Sequence, residues 1–431
     1  MQENPVTHRP PPVLLSLLLI SGTVMVGRIA QGVFGPLQEL AKQDMQLSDF
    51  QISLVQGLAA SIPVAVLSIP LGRLVDQVNR MRLLLAMLLV WTLGTLLTAV
   101  AKDFTMLFVA RTLAGIGMMC SLPVAISMLA DLSSAERRGR ALVLLSLGSL
   151  FGAAGAFVLG GGLLGWVKAD GASHFGDLAP WRSVHLLIGF GSALWLLPLL
   201  LLKEPARQEC SGAAVPTLSA ALAAIWQRRS LLAPLFIGQT SAVMADASAG
   251  IWASPVLIRD YGLTPEQFGG WMGAVVVVSG LIGSVIGGVA ADLGQKGRVP
   301  GGMLGIAVAA ALLSIPAAFF AVMPTSTGFA LMLFVLLLCG AIMGLITSTA
   351  IAVQLPNELR GICLSAFIVT AALFGIGMAP TLVSLVSSLL GGESHVREGL
   401  TILVVASSML SAYGFIRALR GSRSQPVTAV A

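Results

Sequence analysis

Long apolar runs alternate with short polar breaks along the whole chain. The runs fall near 13–40, 50–71, 82–101, 104–130, 140–166, 183–202, 231–258, 268–291, 301–323, 327–353, 361–390 and 398–418. A helix needs about 20 apolar residues to cross a hydrocarbon core, so the pattern predicts an all-α polytopic membrane protein with twelve spans. A spanning β-barrel reads instead as alternating segments of about ten residues. The unbroken Leu, Val, Ala and Gly runs exclude it.

Polar punctuation divides the runs into two sets of six. The longest connection, 203–230 (KEPARQECSGAAVPTLSAALAAIWQRRS), has the Pro, Gly, Ser and charge content of a linker. It separates an N-terminal six-helix bundle, 1–202, from a C-terminal one, 231–431, that ends in a short tail expected to be disordered after Arg417. The leading MQENPVTHRPPP is polar. The first run passes into Arg28 and Gln31 without a clean cleavage site, so it reads as a retained helix.

The halves repeat. LSDFQISLVQG at 47–57 aligns with LTPEQFGGWMG at 263–273, and Gly72 and Asp76 with Gly288 and Asp292, all at an offset of 216. Glu136-Arg137-Arg138-Gly139 aligns with Glu358-Leu359-Arg360-Gly361 at 222. Both second helices open with a capping box, Ser48 with Gln51 and Thr264 with Gln267. A direct repeat of six-helix units encloses a midplane cavity at its interface.

Composition changes the picture in one respect. Only 10% of residues are charged, 56% are hydrophobic and the mean hydropathy is +0.92, whereas a soluble domain carries about 25% charge. The net charge of +6 is a topology signal and no nucleic-acid footprint. Of the 25 Lys and Arg, 17 fall in loops on the side of the termini and 6 opposite, which places both termini in the cytoplasm of a plasma (inner) membrane protein. Cys120, Cys210, Cys339 and Cys363 show neither metal nor disulfide spacing. The string Gly160-Gly161-Gly162-Leu163-Leu164-Gly165 matches a dinucleotide fingerprint only on paper, because no strand precedes it. The reading is a monomer in the lipid bilayer that handles a small molecule, with no cofactor unless protons are coupled.

Three ionisable residues fall inside spans: Arg28, Arg111 and Asp246. Each costs at least about 2.5–3.5 kcal/mol at a helix centre, so such residues face a cavity and mark a site. At about 1.5 Å per residue all three lie in the half of the membrane remote from the termini, where they are able to meet. In one reading Asp246 neutralises an arginine structurally. In the other the arginines bind an anionic or zwitterionic head group, and Asp246 is a switchable counter-ion or proton carrier. Gln31, Gln56 and Gln239 lie on the same faces, available to substrate or to helix–helix bonds. Glycines 148, 152 and 155 in the fifth run, and 280, 283 and 287 in the eighth, suit close helix packing.

Between the second and third runs the chain reads Gly72-Arg73-Leu74-Val75-Asp76-Gln77-Val78-Asn79-Arg80-Met81-Arg82. This resembles the signature cytoplasmic loop of the major facilitator superfamily, with Gly288 and Asp292 as its weaker second copy. Asn79 stands where Gly is usual and suits a left-handed turn. The resemblance implies a two-bundle transporter fold and a conformational gate in which Asp76 faces the helix start near Gly361 and Arg80 pairs with Asp131. The alternative is a set of solvated loop charges. WRSVHLLIGFGSALWLLPLLLLKEPAR at 181–207 and GIWASPVLIRDYGLT at 250–264 resemble the spinster-like branch. Gly27 and Met118 stand where that branch carries carboxylates, which puts its proton coupling in question here. The leading expectation is alternating-access transport of a small or amphipathic organic solute. Proton-driven drug efflux and a non-transporting transceptor or scaffold are the alternatives, and an enzyme is not expected.

Overall fold

The computed structural model describes residues 13–134, 136–171, 176–207, 226, 228–297, 301–355 and 357–423; the side chains of 68–73, 76, 170, 171, 354, 357–362 and 365 lie outside the described set. Among the described residues, twelve helices are long and apolar enough to span a membrane. They are α1 Val13–Met45, α2 Asp49–Leu67, α3 Arg80–Val100, α4 Phe104–Leu132, α5 Arg138–Ala169, α6 Pro180–Leu199, α7 Arg229–Arg259, α8 Pro265–Gln295, α9 Gly302–Val322, α10 Ser326–Val353, α11 Ala366–Leu390 and α12 Glu393–Ser422. Their even number returns the chain to the face on which it began. That face is called terminal below.

Local chemistry sets the helix starts. Ser48 caps α2, accepting from Gln51 N while its own N–H donates to Gln51 Oε1 at 2.9 Å. Thr264 N donates likewise to Gln267 Oε1 at the start of α8. Asn79 does not make the left-handed turn expected of it. Its φ of −65° and ψ of 114° are extended, and its side chain accepts from Arg82 N at 2.8 Å as the cap of α3. The tail expectation is also corrected. Helix continues from α12 to Arg423, because Ala418 is buried in the core and Leu419 packs on it. Residues 424–431 and most of the connection 203–230 lie outside the described residues.

α1–α6 close on one apolar core in which Phe34, Leu84, Trp91, Met118 and Trp181 are buried. α7–α12 close on two neighbouring clusters, one about Cys339 and Phe415, the other about Trp252, Phe268, Phe320 and Phe329. Lipid is as apolar as these side chains, so helix association depends on close backbone approach. It occurs both within a half and between the halves. A Cβ on Gly152 of α5 would lie 2.6 Å from Arg28 Cβ and from Met25 O of α1. Across the halves, a Cβ on Gly57 of α2 would lie 2.5 Å from Gly377 O of α11. Both helices carry a π-helical segment there, Leu54–Leu58 and Ala371–Met378.

Candidate functional site

A cavity of about 210 Å³ lies between the halves, walled by α1, α2, α4, α5 and α7. Arg28, Gln31, Gln56 and Arg111 all line it, with an apolar wall that includes Val55, Phe157 and Ile251. Arg28 approaches from α1 over Gly152, and its Nε donates to Ser149 Oγ of α5 at 3.1 Å. Arg111 is 5% exposed. Its Nη2 donates to the carbonyl of Gln31, and its Cζ stands 5.0 Å from the centre of the Phe34 ring. Its Nε and Nη1 are buried without a hydrogen-bond partner among the described residues. No carboxylate among the described residues pairs with either arginine. Two guanidinium groups thus face one small chamber uncompensated, and a buried cation left without a partner is costly.

Phe34 also carries the next layer. It meets Trp181 and His185 of α6 edge-on at 6.4 and 5.8 Å between ring centres. Arg182 holds α6 in place through Asp44 at 2.9 Å and the carbonyls of Ala99 and Ala101. The aromatic-basic opening of α6 therefore buttresses the wall that positions Arg111.

Asp246 does not join the two arginines. It lies on α7 against Gly340 of α10, where a Cβ on that glycine would be 2.1 Å from Asp246 Oδ2. One turn further along α7, Gly250 and Ile251 line the cavity. Gln239 is also apart from it, two turns toward the terminal face, where its Oε1 accepts from Thr347 Oγ1 of α10 at 3.2 Å. Gln56 reaches the cavity but spends its amide on Gln38 Oε1 at 3.1 Å, and Gln38 in turn donates to Ile251 O of the other half. Gly27 and Met118 face each other: a Cβ on Gly27 would meet Met118 Sδ at 2.7 Å.

A row of bonds closes the halves over the cavity at the face opposite the termini. Arg259 at the end of α7 pairs with Glu39 of α1 and Asp49 of α2, each at 2.7 Å. Lys42 of α1 pairs with the same Asp49 at 2.7 Å and with Glu393 of α12 at 2.5 Å. Glu393 also accepts from Asp49 N at 2.7 Å. Lys168 of α5 pairs with Glu266 of α8 at 2.6 Å. Sequence reasoning counted Lys42, Lys168 and Arg259 only as loop cations and passed over their acids. The available signal was opposite charge at the ends of helices that meet at one face.

At the terminal face, Arg80 is 2% exposed and ion-pairs with Asp131. It also bonds to Ser127 Oγ at 3.0 Å, Glu204 Oε1 at 3.1 Å and the Pro205 carbonyl at 2.9 Å. The surroundings of Gly72 and the side chains of Asp76 and of its expected partner near Gly361 lie outside the described set. Gly288 faces Leu345 loosely, at 3.8 Å from its would-be Cβ, and Asp292 is exposed.

The Major Facilitator Superfamily profile matches residues 17–380, and the chain belongs to that superfamily of secondary transporters. Over 289 residues, 66% of this chain, it is 28% identical to an MFS-type efflux pump of Mycolicibacterium smegmatis; the match spans 63% of that relative's length. A stretch of 108 residues, 25% of this chain and 19% of the relative, is 34% identical to a multidrug resistance protein B homolog of Mycobacterium tuberculosis. The fold is similar to that of a bacterial homologue of the human lysosomal transporter spinster in its inward-facing, occupied conformation. There the TM-score is 0.81 at 19% identity, over 97% of this chain and 98% of that one. For the unoccupied conformation the values are 0.79 and 20%, over 95% and 96%. At such identity the likeness is one of fold.

Proposed function

We propose that this transporter moves an anionic organic solute, small or amphipathic, by alternating access through the Arg28–Arg111 chamber. The carrying observation is the pair of guanidinium groups that line one cavity without a carboxylate partner. A bound carboxylate, phosphate or sulfonate satisfies their free donors in charge-assisted hydrogen bonds. The apolar wall of Val55, Phe157 and Ile251 suits a non-polar body. No carboxylate among the described residues lines the chamber, which favours an anion over a zwitterion. The loop charges support cytoplasmic termini in an inner membrane, so the state seen is closed to the outside. The cavity is complete within one chain, which supports a monomeric working unit. Rocking the halves apart at the Arg259 latch, and together at the Arg80 loop, exposes the chamber to the other side.

The test is binding of candidate organic anions to purified protein, beside Arg28→Ala and Arg111→Ala. Loss of affinity in both variants is the expected result; equal affinity in all three overturns the anion site.

Proton-driven efflux is the second reading, favoured by the relative of Mycolicibacterium smegmatis that is named an efflux pump. Flux in proteoliposomes under an imposed pH gradient separates the two. Export driven by an inward proton gradient, with a substrate indifferent to Arg28→Ala, would replace the first reading by the second.

A further inference from the structure

α7 runs unbroken from Arg229 to Arg259 with Pro255 inside it. A proline in a helix has no N–H to offer the carbonyl four residues before it, and its ring crowds that carbonyl outward. In α7 the carbonyl so released is that of Ile251, a residue of the chamber wall. A backbone carbonyl shut away from water without a donor is costly, so it must find one from another element.

The donor comes from the other half. Gln38 of α1 is 1% exposed, and its Nε2 donates to Ile251 O. A glutamine amide has one accepting and one donating end, and either is able to face a neighbouring helix. Gln56 decides between them. It lines the chamber, and its Nε2 donates to Gln38 Oε1 at 3.1 Å, which turns the donating end of Gln38 toward α7. The next residue of α1, Glu39, belongs instead to the ion pair with Arg259 at the rim. Eight residues of α7, about 12 Å, separate Ile251 from Arg259, so the halves are joined at two depths. The two contacts differ in kind. The Arg259 side chain is 21% exposed and partly screened by water, whereas Gln38 is enclosed and carries no charge.

We infer that Gln38 and Pro255 work as a pair: Pro255 denies the Ile251 carbonyl the donor of its own helix, and Gln38 is the positioning residue that covers it when the chamber shuts toward this face. With the halves apart, water reaches both groups and neither needs the other. With them together, Gln38 supplies the hydrogen bond that α7 lacks. The closed state is thus favoured by what an uncovered carbonyl would cost there, a contact present in one of the two states only. No proton moves, and neither an amide nor a backbone carbonyl titrates. The inference rests on the alternating-access reading and not on the anion site.

The test follows the distance between nitroxide labels at the closed face in apo protein held in lipid vesicles. The labels are placed at Lys102→Cys and Thr327→Cys, both exposed and in opposite halves, in a Cys210→Ser background; Cys120, Cys339 and Cys363 are buried. The short distance dominates in the wild type. Gln38→Leu raises the ratio of long to short distances by about tenfold, the effect of a carbonyl left without its donor. Gln38→Asn keeps the amide but reaches one carbon less far, and it opens the face likewise, which sets a lost bond apart from a folding defect. Pro255→Ala returns an N–H to α7 for the Ile251 carbonyl. In that background Gln38→Leu changes the ratio by less than about twofold, because the carbonyl keeps a donor, and this failure of additivity is the signature of the pair. Arg259→Gln opens the face with or without Pro255 and serves as the control for mobility. Gln38→Leu opening the face equally in both backgrounds overturns this inference alone, as does Gln38→Leu leaving it shut while Arg259→Gln opens it. One unchanging distance in every variant overturns alternating access as well.

Discussion

Arg259 grips Asp49 across the boundary between the two halves, one guanidinium nitrogen on each carboxylate oxygen at 2.8 and 2.7 Å. The Asp49 side chain is 3% exposed and that of Arg259 is 21% exposed, so water screens the pair only in part. Arg259→Gln leaves Glu39 and Asp49 facing each other with one cation fewer. Breaking such a pair costs the closed state about 2 kcal/mol after discounting for exposure, roughly a thirtyfold shift toward opening. Cysteine accessibility at Ser53, which is buried between the halves in the closed state, is the measurement, and unchanged labelling would refute the latch.

Arg28→Ala and Arg111→Ala each remove a cation from the chamber. Losing one partner of a buried, hydrogen-bonded charge pair costs about 2–5 kcal/mol, so anion affinity falls by at least about thirtyfold. Arg111→Lys restores charge but neither the bond to the Gln31 carbonyl nor the guanidinium contact over Phe34, and it recovers only part of the loss. Calorimetric titration of the three variants checks the order.

The same field sorts ligands by charge. Two fixed cations without a carboxylate repel a third, so organic cations of matched size compete at least about tenfold more weakly than anions. Displacement of a bound fluorescent anion by tetraalkylammonium and alkylsulfonate pairs measures the ratio. Equal displacement would remove the electrostatic basis of the site.

Gly57→Val acts without touching charge. Its Cβ would lie 2.5 Å from Gly377 O, a backbone atom that cannot step aside. The substitution prevents α2 and α11 from closing. It lowers transport while leaving helix content unchanged by circular dichroism.

Arg80→Ala tests the terminal face. The side chain is almost wholly enclosed and joins Asp131, Ser127 and the segment after α6. Its removal leaves Asp131 without that cation, at about 3 kcal/mol. Thermal melting in detergent falls by several degrees; Glu204→Gln costs less, because that carboxylate is more exposed.

Much of this architecture is readable in one dimension. Spans follow from apolar length, the halves from matches such as Gly72 with Gly288, and capping from Ser48 with Gln51. Arg28 and Arg111 stand out because lipid makes intramembrane charge expensive wherever it occurs. Depth along a helix is also a one-dimensional quantity. Direction around the helix axis is not, and there the readings diverged. Asp246 shares the depth of the arginines but turns to α10, and Gln239 turns with it toward Thr347. Asn79 was read as a turn former by residue type, yet it caps α3 because the chain enters that helix extended.

By itself, the order of residues determined that this protein crosses the membrane twelve times in two related halves and carries charged residues within the bilayer, since lipid forbids exposed backbone and penalises charge locally, residue by residue. Only the packed bundle decided which of those charges share a chamber, and that Glu39, Lys42, Asp49, Arg259 and Glu393 meet over it. Such meetings depend on the rotation and tilt of helices more than 200 residues apart in the chain. Glycine contacts such as Gly57 on Gly377 set those angles through shapes that only the assembled helices possess.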